Sequence, residues 1–520
     1  VISVEHLFKF QDEYIQACQQ YIAGEMEGDT FFPKASAMGI YRQRKPGTWM
    51  VRARVLSGNI RVNQLRNVSR LGKRYSHGQL HLTTRQDIQF HKVSIQDTIH
   101  IVQELKNNHI INKGAGGNSI RNILVPHMSG VSKEEVFDVT PYGMMVTDYV
   151  LGLKQLSTLP RKFKIAFSHD KNDSGRTQYA DIGFLATVKN GIKGFTVYGG
   201  GGLGNQPGVG ICLQEFIPAD QLIIYTHGML RFFEDYGDRD NRHKARMRFV
   251  RYRLGDQEFS KIFHKYVEEV GQEKPSINVE KILANYKKRV LEDQEDYIEL
   301  TPQNGDIQCE DIDRLIEWIE HNGIEHQIRL RLTANQGMLV FGLKTQEKEE
   351  IEHILKHIIA QSDIEQTLSC TGARECRIGL CDSVHLREQI IHMASQYPLE
   401  QRRQLPKIFI SGCRNACGWH LVGAIGFSGK KIRTIHGVEE CFDVFIDGKV
   451  EAGQSKIGEN MGTLSVSQCI TFLNWIFNKY LEALKENRNI SFHQYIQEDN
   501  QWIRQTLKHI EKEIIHDGKA

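Results

Sequence analysis

The stretch Leu80-His81-Leu82-Thr83-Thr84-Arg85-Gln86 returns later in the chain as Leu330-Arg331-Leu332-Thr333-Ala334-Asn335-Gln336. What flanks the two copies also corresponds. Around the first, WMVRARV (49–55) reads as a strand and GNIRVNQLRNVSRLGKRYS (58–76) as a helix. LHLTTRQDIQFHKV (80–93) is a second strand region, and SIQDTIHIVQELKNN (94–108) a second helix with Ser94 as its N-cap. Around the second, YIELT (297–301), CEDIDRLIEWIEHNG (309–323), QIRLRLTANQGMLVFGL (327–343) and TQEKEEIEHILKHI (345–358) follow in the same order. Beyond each copy a Leu-Pro leads into a short strand, LPRKFKIAFS (159–168) and LPKIFISG (405–412). A two-fold internal repeat of α+β units is the simplest reading. Where the copies diverge, as at Arg85 against Asn335, each half is expected to supply different residues to one site.

Residues 1–30 read as a helical lead-in, with Phe8, Phe10, Tyr14, Cys18 and Tyr21 at helical spacing before a break at Gly24–Gly28. The polar stretch Lys287–Asp296 reads as the linker between the halves. The 520 residues suggest about three to four domains. With 66 Lys+Arg against 63 Asp+Glu, the bulk charge does not suit a polybasic nucleic-acid binder. No apolar run approaches the ~20 residues of a membrane span, and none opens the chain as a signal peptide. Ten cysteines are too sparse for a disulfide scaffold. The expected class is a cytoplasmic multidomain protein, or a plastid one if a transit peptide preceded Val1.

Three patterns carry chemistry. Cys370 and Cys376 form C-x5-C, and Cys413 and Cys417 form C-x3-C. Two such pairs can bring four thiolates to one centre. An iron–sulfur cluster, a zinc ion and plain core cysteines all remain open, and the five-residue gap disfavours zinc. Gly372, Gly412 and Gly418 beside them suit backbone lying close to sulfides. Cys381, five residues after Cys376, reads as a decoy, an adventitious ligand or simply core, while Cys18, Cys212, Cys309, Cys441 and Cys469 are expected to fill core positions. The second pattern is a set of cations within apolar segments: Arg52, Arg54, Arg85, Arg121 after a glycine-rich turn, Arg161, Lys162 and Lys164. Burying such charges is costly unless an anion compensates them, so together they imply a polyanionic ligand. Third, Gly199, Gly201 and Gly204 complete a G-x-G-x-x-G. Without a Rossmann context, a loop through which backbone approaches a flat ligand is the better reading than dinucleotide binding.

From about Gly39 to residue 490 the chain resembles the sirohaem-dependent sulfite and nitrite reductases. The markers are GIYRQRKPGTWMVRAR, LHLTTRQDIQF, GNSIRN, LPRKFK, YGGGGLG, C-x5-C and GCRNACG, in that order. The resemblance implies a [4Fe–4S] cluster on Cys370, Cys376, Cys413 and Cys417, with Cys417 bridging to the iron of sirohaem. It implies that Arg54, Thr83, Thr84, Arg85, Gln89, Asn118, Arg161, Gly201 and Asn415 belong to cofactor binding. Arg52 and Arg121 match positions that clamp the bound anion, and Lys162 and Lys164 those that deliver protons. Two lysines in LPRKFK, where nitrite reductases tend to carry Asn at the second, favour sulfite reduction to sulfide; nitrite reduction to ammonia is the alternative. Arg414 departs from the Pro common in the family. The implied architecture is α+β with pseudo-two-fold symmetry. It has an extension (1–38), ferredoxin-like half-domains (39–112 and 291–362) and larger catalytic domains (113–290 and 363–520), with sirohaem where domains meet. No flavin or nicotinamide domain remains, so the expected electron donor is ferredoxin or a separate flavoprotein subunit, and the substrate a small inorganic anion. A bare electron carrier would not need clamp cations, and a zinc-dependent nucleic-acid binder fits neither the charge nor the cysteine spacing.

Overall fold

The computed structural model describes residues 3–153, 158–273, 296–434, 437–486, 490–498 and 500–516. Of the expected linker only Asp296 falls among them; 287–295 lie outside the described residues. The chain forms two compact units. The first takes residues 1–202, 208–356 and 451–453, and the second 203–207, 357–450 and 454–520.

The first unit opens on the helices Phe8–Ile22, ended near Gly24, and Gly28–Ala37. Two antiparallel sheets follow. One runs Ile40–Arg42, Trp49–Ala53, Ile88–Val93, Gln79–Leu82, Asp306–Gln308. The other runs Asp296–Leu300, Met338–Leu343, Arg329–Leu332, Asn59–Ile60. Each sheet therefore ends on a short strand from the opposite stretch of sequence: Ile307 pairs with Leu80, and Ile60 with Leu330. The helical reading of 58–76 is corrected here. Asn59–Ile60 is extended because it is taken up by a distant edge, and the helix begins only at Val62 and runs to Tyr75. Its buried Val62, Leu65, Val68 and Leu71 keep the amphipathic spacing. The helix Ile95–Asn107 starts as expected, with Ser94 Oγ accepting from Asp97 N at 3.1 Å. Cys309–His321 and Thr345–Leu355 occupy the corresponding places after the second set of strands.

Both exchanged strands leave a left-handed corner, Ser57-Gly58 (φ 49° and 77°) and Asn304-Gly305 (φ 58° and 75°). A Cβ on Gly58 would lie 2.9 Å from Leu332 O, and one on Gly305 2.5 Å from Leu82 O. Only glycine lets the chain turn this close to the opposite copy.

The rest of the first unit is a sheet in which Ile165–Ser168 runs parallel to Ile182–Lys189, followed antiparallel by Ile192–Gly199 and Ile211–Pro218. Its core is aromatic, including Phe163, Phe167, Phe184, Phe195, Phe232 and Phe233. Gly199 leads into an antiparallel strand rather than a helix, so the G-x-G-x-x-G lacks the βα context of dinucleotide binding. The second unit has the same strand directions: Leu368–Ser369, Phe409–Ser411 and Ile425–Thr434 parallel, then Gly437–Ile446 and Glu459–Ser465 antiparallel. The helix Val466–Lys485, capped by Ser465, covers it. Among the described residues no helix is long and apolar enough to cross a membrane.

Gly58→Ala is expected to destabilise the protein by about 1–3 kcal/mol through αL strain and the clash with Leu332 O. Gly191→Ala, with φ 76° but nothing within 4 Å, should lose visibly less. Denaturant midpoints of the two variants check this.

Candidate functional site

In the first unit the cations expected from the sequence gather around the glycine-rich segment 113–121. Arg52, on Trp49–Ala53, donates through Nη1 to Ala115 O at 2.6 Å. Arg54 is fully buried and gives its guanidinium to backbone carbonyls, Lys113 O and Ile120 O at 3.2 Å and Arg121 O at 3.3 Å. Arg121 reaches Gly116 O at 2.7 Å and Gly117 O at 2.8 Å. Arg85 donates to Ile165 O at 2.9 Å, and its buried Nε has no hydrogen-bond partner. Arg161 reaches the exposed Asn118 at 3.4 Å. Phe163 pairs by backbone with Ser119 and Arg121 and turns its ring into the core. Lys162 and Lys164 flank Phe163 and are both half-buried.

Thr83 stabilises the turn carrying Arg85, its Oγ1 accepting from Arg85 N and Asp87 N at 3.2 and 3.0 Å. Thr84 is half-buried on the same turn, and Gly201 is buried. Gln89 is committed to Arg52. With its carbonyl turned toward the guanidinium, Oε1 accepts from Arg52 Nε at 3.0 Å and Nη2 at 2.6 Å.

Sequence reasoning missed three neighbours, Tyr41, Arg246 and Arg248. Tyr41 Oη accepts from Gly117 N at 2.8 Å. Arg246 holds the fully buried Asp181 through Nε at 3.3 Å and Nη2 at 2.8 Å, and Asp181 also accepts from Lys164 N at 2.7 Å. Arg246 and Arg248 sit at the N-cap and in the first turn of the helix Met247–Leu254, where the helix dipole disfavours cations. The alternating run from Arg242 to Arg248 was the available signal.

These charges act on one another. Burial pushes Arg85 down to about 9, with Arg121 and Arg246 adding to the shift against Asp87 and Asp181. Burial likewise lowers Arg54, Arg121 and Arg248 to about 10, Arg121 feeling Arg52, Arg54 and Arg246. Among the described residues, the buried carboxylates that bear on Arg85 are Asp87 and Asp181, set against the guanidiniums of Arg52, Arg54, Arg85, Arg121, Arg161, Arg246 and Arg248. An orphaned Arg85 Nε and this surplus fit a polycarboxylate ligand such as sirohaem.

In the second unit Cys370 follows the strand Leu368–Ser369, and Cys376 ends the short helix Gly372–Glu375. Cys413 and Cys417 lie on the turn after Phe409–Ser411. Cys370 Sγ accepts from Gly412 N at 3.1 Å; burial, then Cys417, pushes its thiol up to about 12. Burial also raises Cys413, which feels Cys417 and Cys376, while the Asn415 backbone and side chain favour its thiolate. The four thiols thus sense one another. Yet among the described residues no three His, Cys, Asp or Glu side chains converge as a single metal ion requires.

Cys381 is a core residue, its thiol donating to Lys430 O at 3.3 Å and Cys441 O at 3.5 Å. Cys18, Cys309, Cys441 and Cys469 are buried as expected, whereas Cys212 is exposed, because its position on Ile211–Pro218 faces outward. Arg414 is exposed and lies 3.7 Å from the buried Asp443.

Two family profiles match the chain: the nitrite/sulfite reductase ferredoxin-like half domain over residues 41–108, and the nitrite and sulphite reductase 4Fe-4S domain over 116–270. Over these residues the chain matches the nitrite and sulfite reductase family. It is an oxidoreductase whose cofactors are a [4Fe–4S] cluster and sirohaem. Among curated relatives, the ferredoxin–nitrite reductase of Synechococcus elongatus is 26% identical over 442 residues, covering 79% of this chain and 82% of its own length. The assimilatory ferredoxin-dependent nitrite reductase of Haloferax mediterranei is 25% identical over 468 residues, covering 82% and 78%. The solved Mycobacterium tuberculosis NirA protein has the same fold, with TM-score 0.78 over 91% of both chains at 18% identity. The four cysteines lie outside both profile matches.

Burial raises Asp87 from 3.8 to about 6 against the pull of Arg52 and Arg54. Folding therefore favours its protonation, so stability rises as pH falls from 6 toward 4 and is lost as pH rises again. Asp87→Asn should remove up to about 3 kcal/mol of that slope, read from denaturant unfolding at pH 4, 5, 6 and 7.

Proposed function

We propose that this chain carries out the six-electron reduction of nitrite to ammonia, taking electrons from ferredoxin. The observation that carries the reading is the surplus of buried guanidiniums around segment 113–121 in a chain of this family. The names of the curated relatives support nitrite as substrate and ferredoxin as donor. Sulfite reduction to sulfide is the second reading, and Lys164 favours it: a dianion losing three oxygens gains more from a second cation and proton donor.

When bound, sirohaem and the cluster supply the electron path and an open coordination position for the anion. Cys370, Cys376, Cys413 and Cys417 would hold the cluster, with Asn415 beside Cys413. Arg54, Arg85 and Arg161, with Thr83, Thr84, Gln89, Asn118 and Gly201 around them, form the cofactor-binding set. Arg52 and Arg121 orient and neutralise the substrate, since guanidiniums are poor proton donors. Lys162 and Lys164 donate the protons needed as oxygens leave as water. We further infer that the chain is an internal duplication: half-domains 39–112 and 291–362 and catalytic domains 113–290 and 363–520, preceded by the extension 1–38. The first copy keeps the cations, and the second the cysteines.

Reduced-dye turnover with nitrite and sulfite in parallel tests the reading. A higher kcat/KM for nitrite is expected, and a higher value for sulfite would reverse the assignment. Lys162→Met should lose at least about ten-fold in kcat while retaining sirohaem; loss of the cofactor instead would remove Lys162 from proton delivery.

A further inference from the structure

Arg52 rests on Gln89, and Gln89 rests on His91. Along this chain the hydrogen bonds do not all point compatibly. Gln43 Oε1 accepts from Lys92 N at 2.6 Å, which fixes its amide so that Nε2 donates to His91 Nδ1 at 2.9 Å. Burial, with His81, Arg52 and Lys92 around it, holds His91 well below the usual histidine value, so the ring is neutral. With Nδ1 accepting, its one proton is on Nε2. Nε2 faces the Gln89 amide at 3.0 Å and needs the Gln89 carbonyl. Arg52 Nε and Nη2 need the same carbonyl, at 3.0 and 2.6 Å. Gln89 has one carbonyl between two donors, so one side always meets an N–H with an N–H. The His91 ring cannot easily turn away. His81 packs edge-on against it at 5.5 Å and is itself held by Asp306 at 2.8 Å.

We infer that His91 is a positioning residue which, through Gln89, weakens the resting contact of Arg52 and so readies that guanidinium for an anion. This rests on the reading of Arg52 as an anion clamp. When Arg52 turns to an oxyanion, Gln89 rotates its amide and accepts from His91 Nε2, and the conflict disappears. Binding of the anion is thereby strengthened by about the value of one neutral hydrogen bond. The second copy has no such device, because Glu299 and Leu339 occupy the paired register positions held by Arg52 and Gln89 in the first.

The test is titration of nitrite and of sulfite into oxidised holoprotein, followed by the visible sirohaem band, alongside steady-state kinetics. His91→Leu removes the competing N–H, and His91→Gln replaces the ring with an amide that can turn to satisfy either orientation of Gln89. Both should raise the anion Kd and KM about five-fold, with kcat within about two-fold and sirohaem content unchanged. Both effects should vanish in a Gln89→Leu background. If His91→Gln restores the unmodified Kd while His91→Leu does not, or if neither moves it, the inference is overturned. Arg52→Lys separates the two levels. If it leaves the anion Kd unchanged, the clamp reading fails and this inference with it. If it weakens binding while the His91 variants do not, this inference alone fails.

Discussion

Two short strands, Asn59–Ile60 and Asp306–Gln308, each complete a sheet built mainly from the other copy of the motif. Neither half of the first unit can satisfy its sheet edge alone, and an open edge is a liability in water. The exchange also locks what lies next to it. Gln86, in the turn after Leu82, donates to Leu332 O at 2.8 Å and Val125 O at 2.9 Å, tying the turn that carries Arg85 to both copies. Asp306, on the exchanged strand, fixes His81, whose ring orients His91 and, through Gln89, bears on Arg52. The position of a surface strand is felt several residues away, at a guanidinium.

The guanidiniums are mostly oriented by backbone carbonyls rather than neutralised by carboxylates. Arg52, Arg54, Arg85 and Arg121 all donate to main-chain oxygens between residues 113 and 165. A carbonyl dipole aims a guanidinium without cancelling its charge. The unit therefore stores positive potential in fixed directions, the preorganised state that a polyanion can use without further rearrangement. The two acids present, Asp87 and Asp181, do other work. Asp181 clips Arg246 and the backbone of Lys164 together, and Asp87 sits among Arg52, Arg54 and Arg85, its carboxylate accepting from Val55 N at 3.3 Å.

In the second unit the logic is the reverse. Cys370, Cys413 and Cys417 follow the ends of parallel strands and Cys376 ends a short helix; burial raises the thiol of Cys370 while the Gly412 N–H favours its thiolate. At Cys370 burial and the Gly412 N–H therefore act in opposite directions on the thiol.

Much of this was legible in the residue order. The recurrence of LHLTTRQ as LRLTANQ, the spacing of the four cysteines and the cations within apolar strands pointed to the repeat, the cluster and the polyanion. Asn59–Ile60 was not legible, because two residues carry no periodicity and the segment joins a helix pattern; only pairing with Leu330 and Arg331 makes it a strand. Arg246 and Arg248 were not, because a basic run reads as a solvated face until Asp181 is seen beside it. Nor was the conflict over Gln89, since hydrogen-bond direction depends on which groups meet, not on which groups exist. The sequence by itself determined the repeated motif, the residue types of each half and the chemistry they suit. Only the tertiary structure decided the strand exchange and which donors compete for one carbonyl, because both depend on backbone brought together from distant stretches of the chain.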